Sequence, residues 1–267
     1  MIILFSGTGN SRLVAGELRR HLGGDIVELQ GDMLRNPAQV TLTLPGFEET
    51  REGEHPRVED VIWIFPVYSW GIPPVMERFM RSVKIRGAYQ ARHFMVCTCG
   101  DDVGRTHKQW RSVIGRRGWH PRAAYSVEMP NTYVLMKGFD VDSKETEARK
   151  LAAMPARVEA VVAAMRRGSD TDDVVQGAGA FMKSAVIYPV FKRMCMSPRG
   201  FHATDACTSC GLCARSCPME NIVMEDGRPK WGPDCALCLR CYHICPSHAV
   251  AYGRATAGKS QKPVYGR

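Results

Sequence analysis

Eight of the eleven cysteines fall into two copies of one pattern, and each copy runs directly into proline. The first is Cys207-x2-Cys210-x2-Cys213-x3-Cys217-Pro218, and the second is Cys235-x2-Cys238-x2-Cys241-x3-Cys245-Pro246. Thiolates are soft ligands suited to zinc or to iron–sulfur clusters. Three of them on one tight loop can hold three irons of a cubane. The fourth lies just past the loop, before a proline that cannot continue a helix interior. Zinc ribbons also use CxxC pairs, but they separate the two pairs by a dozen or more residues. Here the CxxC steps overlap within each copy, which points to 4Fe–4S clusters and one-electron chemistry. A disulfide framework is disfavoured by an N-terminus that reads MIILFSG, not a secretory leader, and by the odd cysteine count.

The spacing resembles that of the bacterial two-cluster ferredoxins, in which the fourth cysteine of each run ligates the other cluster. That resemblance implies one cluster on Cys207, Cys210, Cys213 and Cys245, and a second on Cys235, Cys238, Cys241 and Cys217. His243 lies between Cys241 and Cys245 and reads as a spacer, since four thiolates are already in place. Cys195 is outside both motifs and receives no role.

A second chemical feature stands at the other end of the chain. Ser6-Gly7-Thr8-Gly9-Asn10-Ser11 follows an apolar run and opens an amphipathic one. Glycines let backbone approach an anion closely, and hydroxyls with free helix N-terminal amides can ligate phosphate. The dinucleotide fingerprint GxGxxG is excluded, because Arg12 stands where the third glycine belongs.

These residues need elements to position them. Apolar strand-like runs at Ile2–Phe5, Asp25–Leu29, Val61–Phe65, Phe94–Thr98 and Ala124–Glu128 alternate with amphipathic segments. That order predicts an α/β domain with a parallel sheet. Val14, Leu18 and Leu22 form one helical stripe; Pro73 and Pro74 open another helix, with Val75, Phe79, Met80 and Val83 following. A long helix from Ser143 to Arg167 is expected, with Asp142 and Glu145 in capping-box spacing and a kink at Pro155. Residues 30–58 read as a long irregular connection with a short strand at Val40–Leu44. Residues 168–179 are polar and glycine-punctuated, a linker. Phe181–Met196 is amphipathic, with Phe181, Ala185, Tyr188, Phe191 and Met194 near one face and Pro189 as an interruption. A bridging helix that covers a cluster is the reading; a membrane-surface anchor is the alternative. The last residues, Gly253–Arg267, are small, polar and basic, and are expected to be mobile or draped on the surface.

The Ser6–Ser11 loop also resembles the FMN-phosphate loop of flavodoxins, (Thr/Ser)-x-Thr-Gly-x-(Thr/Ser). The five-strand alternation suits the flavodoxin-like order 2-1-3-4-5, a doubly wound parallel sheet that binds FMN at the carboxyl ends of its strands. The resemblance implies that Pro66-Val67-Tyr68-Ser69-Trp70-Gly71 lies against one face of the flavin ring, with Tyr68 or Trp70 stacking. It implies that Thr98-Cys99-Gly100-Asp101 meets the pyrimidine edge, and that Asn131 and Tyr133 add contacts. The whole chain resembles the bacterial and archaeal flavodoxin–ferredoxin fusion proteins. The expected plan is a flavodoxin-like FMN domain over residues 1–167, a linker with a bridging helix over 168–198, a small α+β two-cluster ferredoxin domain over 199–253, and a basic tail over 254–267.

The formal charge of +9 raises nucleic acid as a partner. Two clusters and one flavin phosphate lower that charge by about six. The basic pairs Arg19–Arg20, Arg116–Arg117 and Arg166–Arg167 are scattered and read as solvated faces. The expectation is a cytoplasmic electron-transfer protein with no membrane span and no nucleic-acid partner. It would exchange electrons with donor and acceptor proteins or with a small redox substrate. A reductase fed by its own clusters is the first alternative, and a redox-sensing nucleic-acid module the second.

Overall fold

A computed structural model describes residues 1–47 and 60–266. The expected irregular connection therefore falls partly outside the described residues. Five parallel strands form the central sheet: β1 (Ile2–Leu4), β2 (Ile26–Glu28), β3 (Asp60–Pro66), β4 (Arg92–Cys99) and β5 (His120–Glu128), in the order β2-β1-β3-β4-β5. This is the flavodoxin-like doubly wound topology. Strand side chains alternate between faces, and the two faces are buried by different helices. Ile2, Leu4, Ile62 and Ile64 meet α1 (Asn10–Leu22) and α4 (Lys144–Arg166) through Val14, Leu18, Val158 and Val161. Ile3, Phe5, Trp63 and Phe65 meet α2 (Pro74–Ser82) and α3 (Thr106–Arg116) through Met76, Phe79, Trp110 and Ile114. Sheets buried on both faces read as continuous apolar runs, as these strands do.

Several local expectations change. Ser143, not Asp142, caps α4, its Oγ accepting from Thr146 N at 3.2 Å. Asp142 instead accepts from Asn131 N and pairs with Lys150. The short strand Thr41–Thr43 pairs in parallel with Lys84–Arg86, outside the main sheet. Arg117 is no solvated face: its guanidinium donates to the carbonyls of Met80, Arg81 and Val83.

The segment after the linker is helical from Ala180, with a wide turn at Lys183–Ile187 leading into α5 (Tyr188–Met194). Pro189 does not break it. It lies just past the wide turn at Lys183–Ile187, and the helix carries on through it to Met194. The buried face is Ser184, Tyr188 and Phe191, whereas Phe181 and Met194 are exposed. Tyr188 OH donates to Ile72 O, and Ser184 Oγ donates to Trp70 O and accepts from Arg105 N.

The C-terminal part is built from two antiparallel pairs: β6 (Phe201–Ala203) with β9 (Val250–Tyr252), and β7 (Ile222–Glu225) with β8 (Arg228–Trp231). Two short helices, α6 (Leu212–Arg215) and α7 (Arg240–Ile244), lie between them. The two parts interdigitate. Met219 and Ala236 belong to the core under α2 and α3, and Val134 and Leu135 reach into the cysteine-rich core. No described helix is long and apolar enough to cross a membrane.

Candidate functional site

The cysteines sort themselves across the two motifs. Cys207, Cys210 and Cys213 line one small hollow together with Cys245. Cys217 lies on the other side, close enough to Cys235, Cys238 and Cys241 to disfavour their ionisation. Short loops with left-handed residues make this geometry: Ser209, Leu237 and Leu239 have φ values of 59°, 48° and 62°, and each lies one residue from a motif cysteine. Backbone amides already point at sulfur. Leu237 N reaches Cys235 Sγ at 3.4 Å, Asn221 N reaches Cys217 Sγ at 3.5 Å, and Ala249 N reaches Cys245 Sγ at 3.3 Å. Burial pushes Cys235 up to about 12 and Cys238 up to about 11. A thiol that is costly to ionise alone gains most from a metal that takes the proton's place. At Cys245 burial also raises, but hydrogen bonds from Ser247 and Ala249 outweigh it and leave the thiol lowered. Among the described residues no group of three or more His, Cys, Asp or Glu is set to hold a single metal ion.

Residues 206–250 match the 4Fe-4S dicluster domain family. The chain therefore carries an iron–sulfur domain. No curated protein matches the chain. Three solved structures are similar to part of it. The Trp repressor binding protein from Bacillus subtilis is 11% identical, covers 59% of this chain and 97% of its own, and has a TM-score of 0.35. A putative flavoprotein from Bacteroides uniformis is 13% identical over 57% and 96%, with a TM-score of 0.35. The azoreductase AzrA is 12% identical over 62% and 100%, with a TM-score of 0.33. The fold assignment rests on the strand order, not on these scores.

At the carboxyl ends of β1, β3 and β4 a cavity of about 570 Å³ opens. Ser6, Gly7, Thr8, Asn10 and Ser11 line it, with Pro66 to Trp70, Thr98 to Asp101, Asn131 and Tyr133. Two residues expected at this site do not line it. Gly9 turns its back to the cavity, and its missing Cβ makes room for the backbone of Tyr265. Gly71 does the same for the ring of Tyr188. Both glycines serve the walls.

Ser6 Oγ, Asn10 Oδ1 and Tyr68 OH are buried and have no partner among the described residues. All three residues line the cavity. Buried polar atoms are costly unless satisfied, so this set calls for a polar ligand. Among the described residues no protein acceptor takes the amides of Gly7, Thr8 or Gly9. Neighbouring groups are held firm: Ser11 Oγ lies 2.8 Å from Thr98 Oγ1, and Asn10 Nδ2 donates to Pro130 O at 2.8 Å. The free loop amides and the Ser6 hydroxyl fit a phosphate, and Asn10 Oδ1 fits a hydroxyl donor beside it.

The ring-side loop is a two-residue turn. Tyr68 N bonds Gly71 O and Gly71 N bonds Tyr68 O, with Ser69 and Trp70 both at positive φ, 44° and 62°. Such strain is kept where the surroundings enforce it. Here Trp70 is fixed by Ser184 and by Lys183, whose Nζ lies 5.0 Å from the indole centroid. Lys183 also bonds Asp102 at 2.6 Å. Cys97 is buried with no cavity exposure, and Cys99 lines the cavity with its thiol near Asp101 O.

The cavity has walls that the motifs did not reveal. Leu237, Cys238 and Leu239 close one side, so the phosphate loop and the second cysteine motif share it. A Cβ on Gly7 would stand 2.8 Å from Cys238 Cβ. Arg240 ties the two parts, donating to Gly7 O at 2.5 Å and Ser6 O at 3.1 Å. Tyr68 has its ionisation suppressed by burial first and then by Cys238 and Cys235. Met136, Phe139, Val186, Val190 and Cys195 form a further, apolar wall. Cys195 thus has a place, though its sequence context carried no signal. The expected spacer His243 is a structural tie: Nε2 bonds Thr132 O at 2.8 Å and Nδ1 accepts from Lys262 N.

Proposed function

We propose that this chain relays electrons between FMN, held at the Ser6–Ser11 loop, and two 4Fe–4S clusters. A bound flavin supplies exchange of electrons in pairs or singly, and a cubane passes them one at a time. The observation that carries the reading is the shared wall. Gly7 of the phosphate loop touches Cys238 of the second motif, and Tyr68 stands beside both. In this reading Cys235, Cys238, Cys241 and Cys217 hold an inner cluster next to the cavity. Cys207, Cys210, Cys213 and Cys245 hold an outer one, where Cys210 is exposed. Electrons then enter or leave through the outer cluster. The protein's own groups bind the phosphate through amides and hydroxyls and hold the ring loop rigid through Lys183 and Ser184. Arg240 fixes the distance between the two parts. Fusion on one chain replaces a bimolecular encounter by a fixed approach.

Anoxically purified protein should contain about eight irons, eight acid-labile sulfides and one FMN per chain. Dithionite should then bleach the flavin and raise cluster signals in low-temperature EPR. Flavin bleaching without a cluster signal, or zinc in place of iron, overturns the relay. A second reading, an FMN-dependent reductase of a small molecule fed by the clusters, is favoured by the apolar wall. Tyr133, on the same wall, packs edge-on against Phe139 and Phe191.

A further inference from the structure

The cavity has two chemically different halves. One is polar and belongs to the phosphate loop and the β4 loop. The other is formed by Met136 and Phe139 after β5 and by Val186, Ile187, Val190 and Phe191 on the bridging helix. Phe139 is 44% exposed and Val190 50%, and Met136, Val186 and Ile187 are exposed too. Isolated exposed apolar side chains are ordinary, but a cluster around one opening marks a binding site.

We propose that this apolar half binds a planar, uncharged aromatic molecule beside the flavin. The inference rests on the flavin reading of the polar half. Flatness follows from the walls. Tyr133 meets Phe139 at a centroid distance of 5.9 Å and 82°, and Phe191 at 6.2 Å and 68°. Rings set on edge in this way present surfaces on which another ring packs well. Lack of charge follows from the lining, which includes neither lysine nor arginine. The charged residues of the cavity, Asp101 and Asp102, stand on the β4 loop in the polar half, and Asp102 is paired with Lys183. An anion seated against the apolar half would give up its hydration with no charged or donating side chain there to replace it. The site is preformed, because the bridging helix is fastened to the ring loop through Ser184, Tyr188 and Lys183. A rigid wall lowers the ordering cost of binding.

The test is calorimetric titration of the oxidised, flavin- and cluster-loaded protein with 2-naphthol and with 2-naphthalenesulfonate, the same ring without and with a negative charge. One naphthol per chain should bind, at least tenfold tighter than the sulfonate, and should perturb the flavin absorption band. Val190→Glu should weaken naphthol at least tenfold with flavin and iron contents unchanged. Phe139→Ser, on the opposite wall, should do the same and serves if the first variant does not accumulate. Equal affinity for the two probes, or unaffected binding in both variants, overturns the proposal. So does sedimentation with phosphatidylglycerol vesicles in the absence of naphthol binding, which would make the apolar rim a membrane contact. A preparation that holds no flavin overturns the flavin reading as well; one that holds flavin and ignores naphthol overturns this inference alone.

Discussion

Cys217 and Cys245 each leave their own motif for the other, and this exchange has a test that single variants cannot give. Removing any one thiolate should halve the iron. The double variant Cys210→Ala/Cys217→Ala should lose both clusters, because the two residues serve different ones. Cys210→Ala/Cys245→Ala should keep one, at about four irons by analysis. The reverse pattern would restore each cysteine to its own motif. Gly9 is a second residue with a defined cost. Its φ is +99°, and the space a Cβ would take is filled by Tyr265 backbone. Gly9→Ala should destabilise by about 1–3 kcal/mol and loosen flavin, read by thermal denaturation and by flavin release on dialysis. His93 reports on pH. Trp63 Nε1 donates to its Nδ1 at 3.0 Å, and its Nε2 donates to Ala88 O, so the ring is held neutral. Burial lowers its pKa to about 4 from 6.5. The unfolded chain takes up a proton below pH 6.5 while the native state does not. Stability should therefore be full above that pH, fall between about 6.5 and 4, and level off below, by an amount on the order of 3 kcal/mol. His93→Gln should flatten that part of a denaturation–pH profile.

At the scale of elements, the C-terminal strap changes the picture most. Of the two expectations for this segment, mobile or draped on the surface, the second holds, and it is tied along its length. Lys259 donates to Val134 O and Met136 O, Gln261 to Tyr242 O, and Lys262 pairs with Glu147. Val264 is buried, Tyr265 OH bonds Glu147, and Tyr265 N donates to Thr8 O at 3.0 Å. Truncation after Gly258 should raise the flavin dissociation constant at least tenfold while iron content stays near wild type; unchanged flavin affinity would reduce the strap to decoration. The sheet was legible because Ile2–Leu4, Val61–Phe65 and Phe94–Cys97 are uninterrupted apolar runs flanked by amphipathic stripes. The cysteine motifs were legible because spacing is itself the ligand geometry. The strap was not, since its sequence is short, polar and aperiodic, and its order comes from partners such as Glu147 and Thr8 that lie far off in the chain. The bridging helix was half legible. Its helical character shows in sequence, but the wide turn at Lys183–Ile187 rotates the buried face onto Ser184 and away from Phe181.

At the scale of the whole molecule, the two parts behave as one body at their seam. Arg240 enters the phosphate loop, Arg35 bonds Met219 O and Glu220, and Gly31 N bonds Pro218 O. Arg240→Ala leaves Ser6 O and Gly7 O without that donor, a cost of about 1–3 kcal/mol. It should slow flavin reduction through the clusters in rapid-mixing experiments with both cofactors still bound. Much of the positive charge is spent internally: Arg12 with Glu28, Arg92 with Asp60, Arg111 with Asp172 and Arg157 with Asp173. Binding to nucleic acid that weakens steeply with salt would contradict the relay and favour the sensing module.

Cys210 is exposed, whereas Cys241 lies buried behind the seam. In the proposed relay, the thiolate of Cys210 is then the point at which dioxygen first meets a cluster. Corrosion in air would start at the terminal and strand the interior still charged, a fuse placed at the socket rather than along the wire.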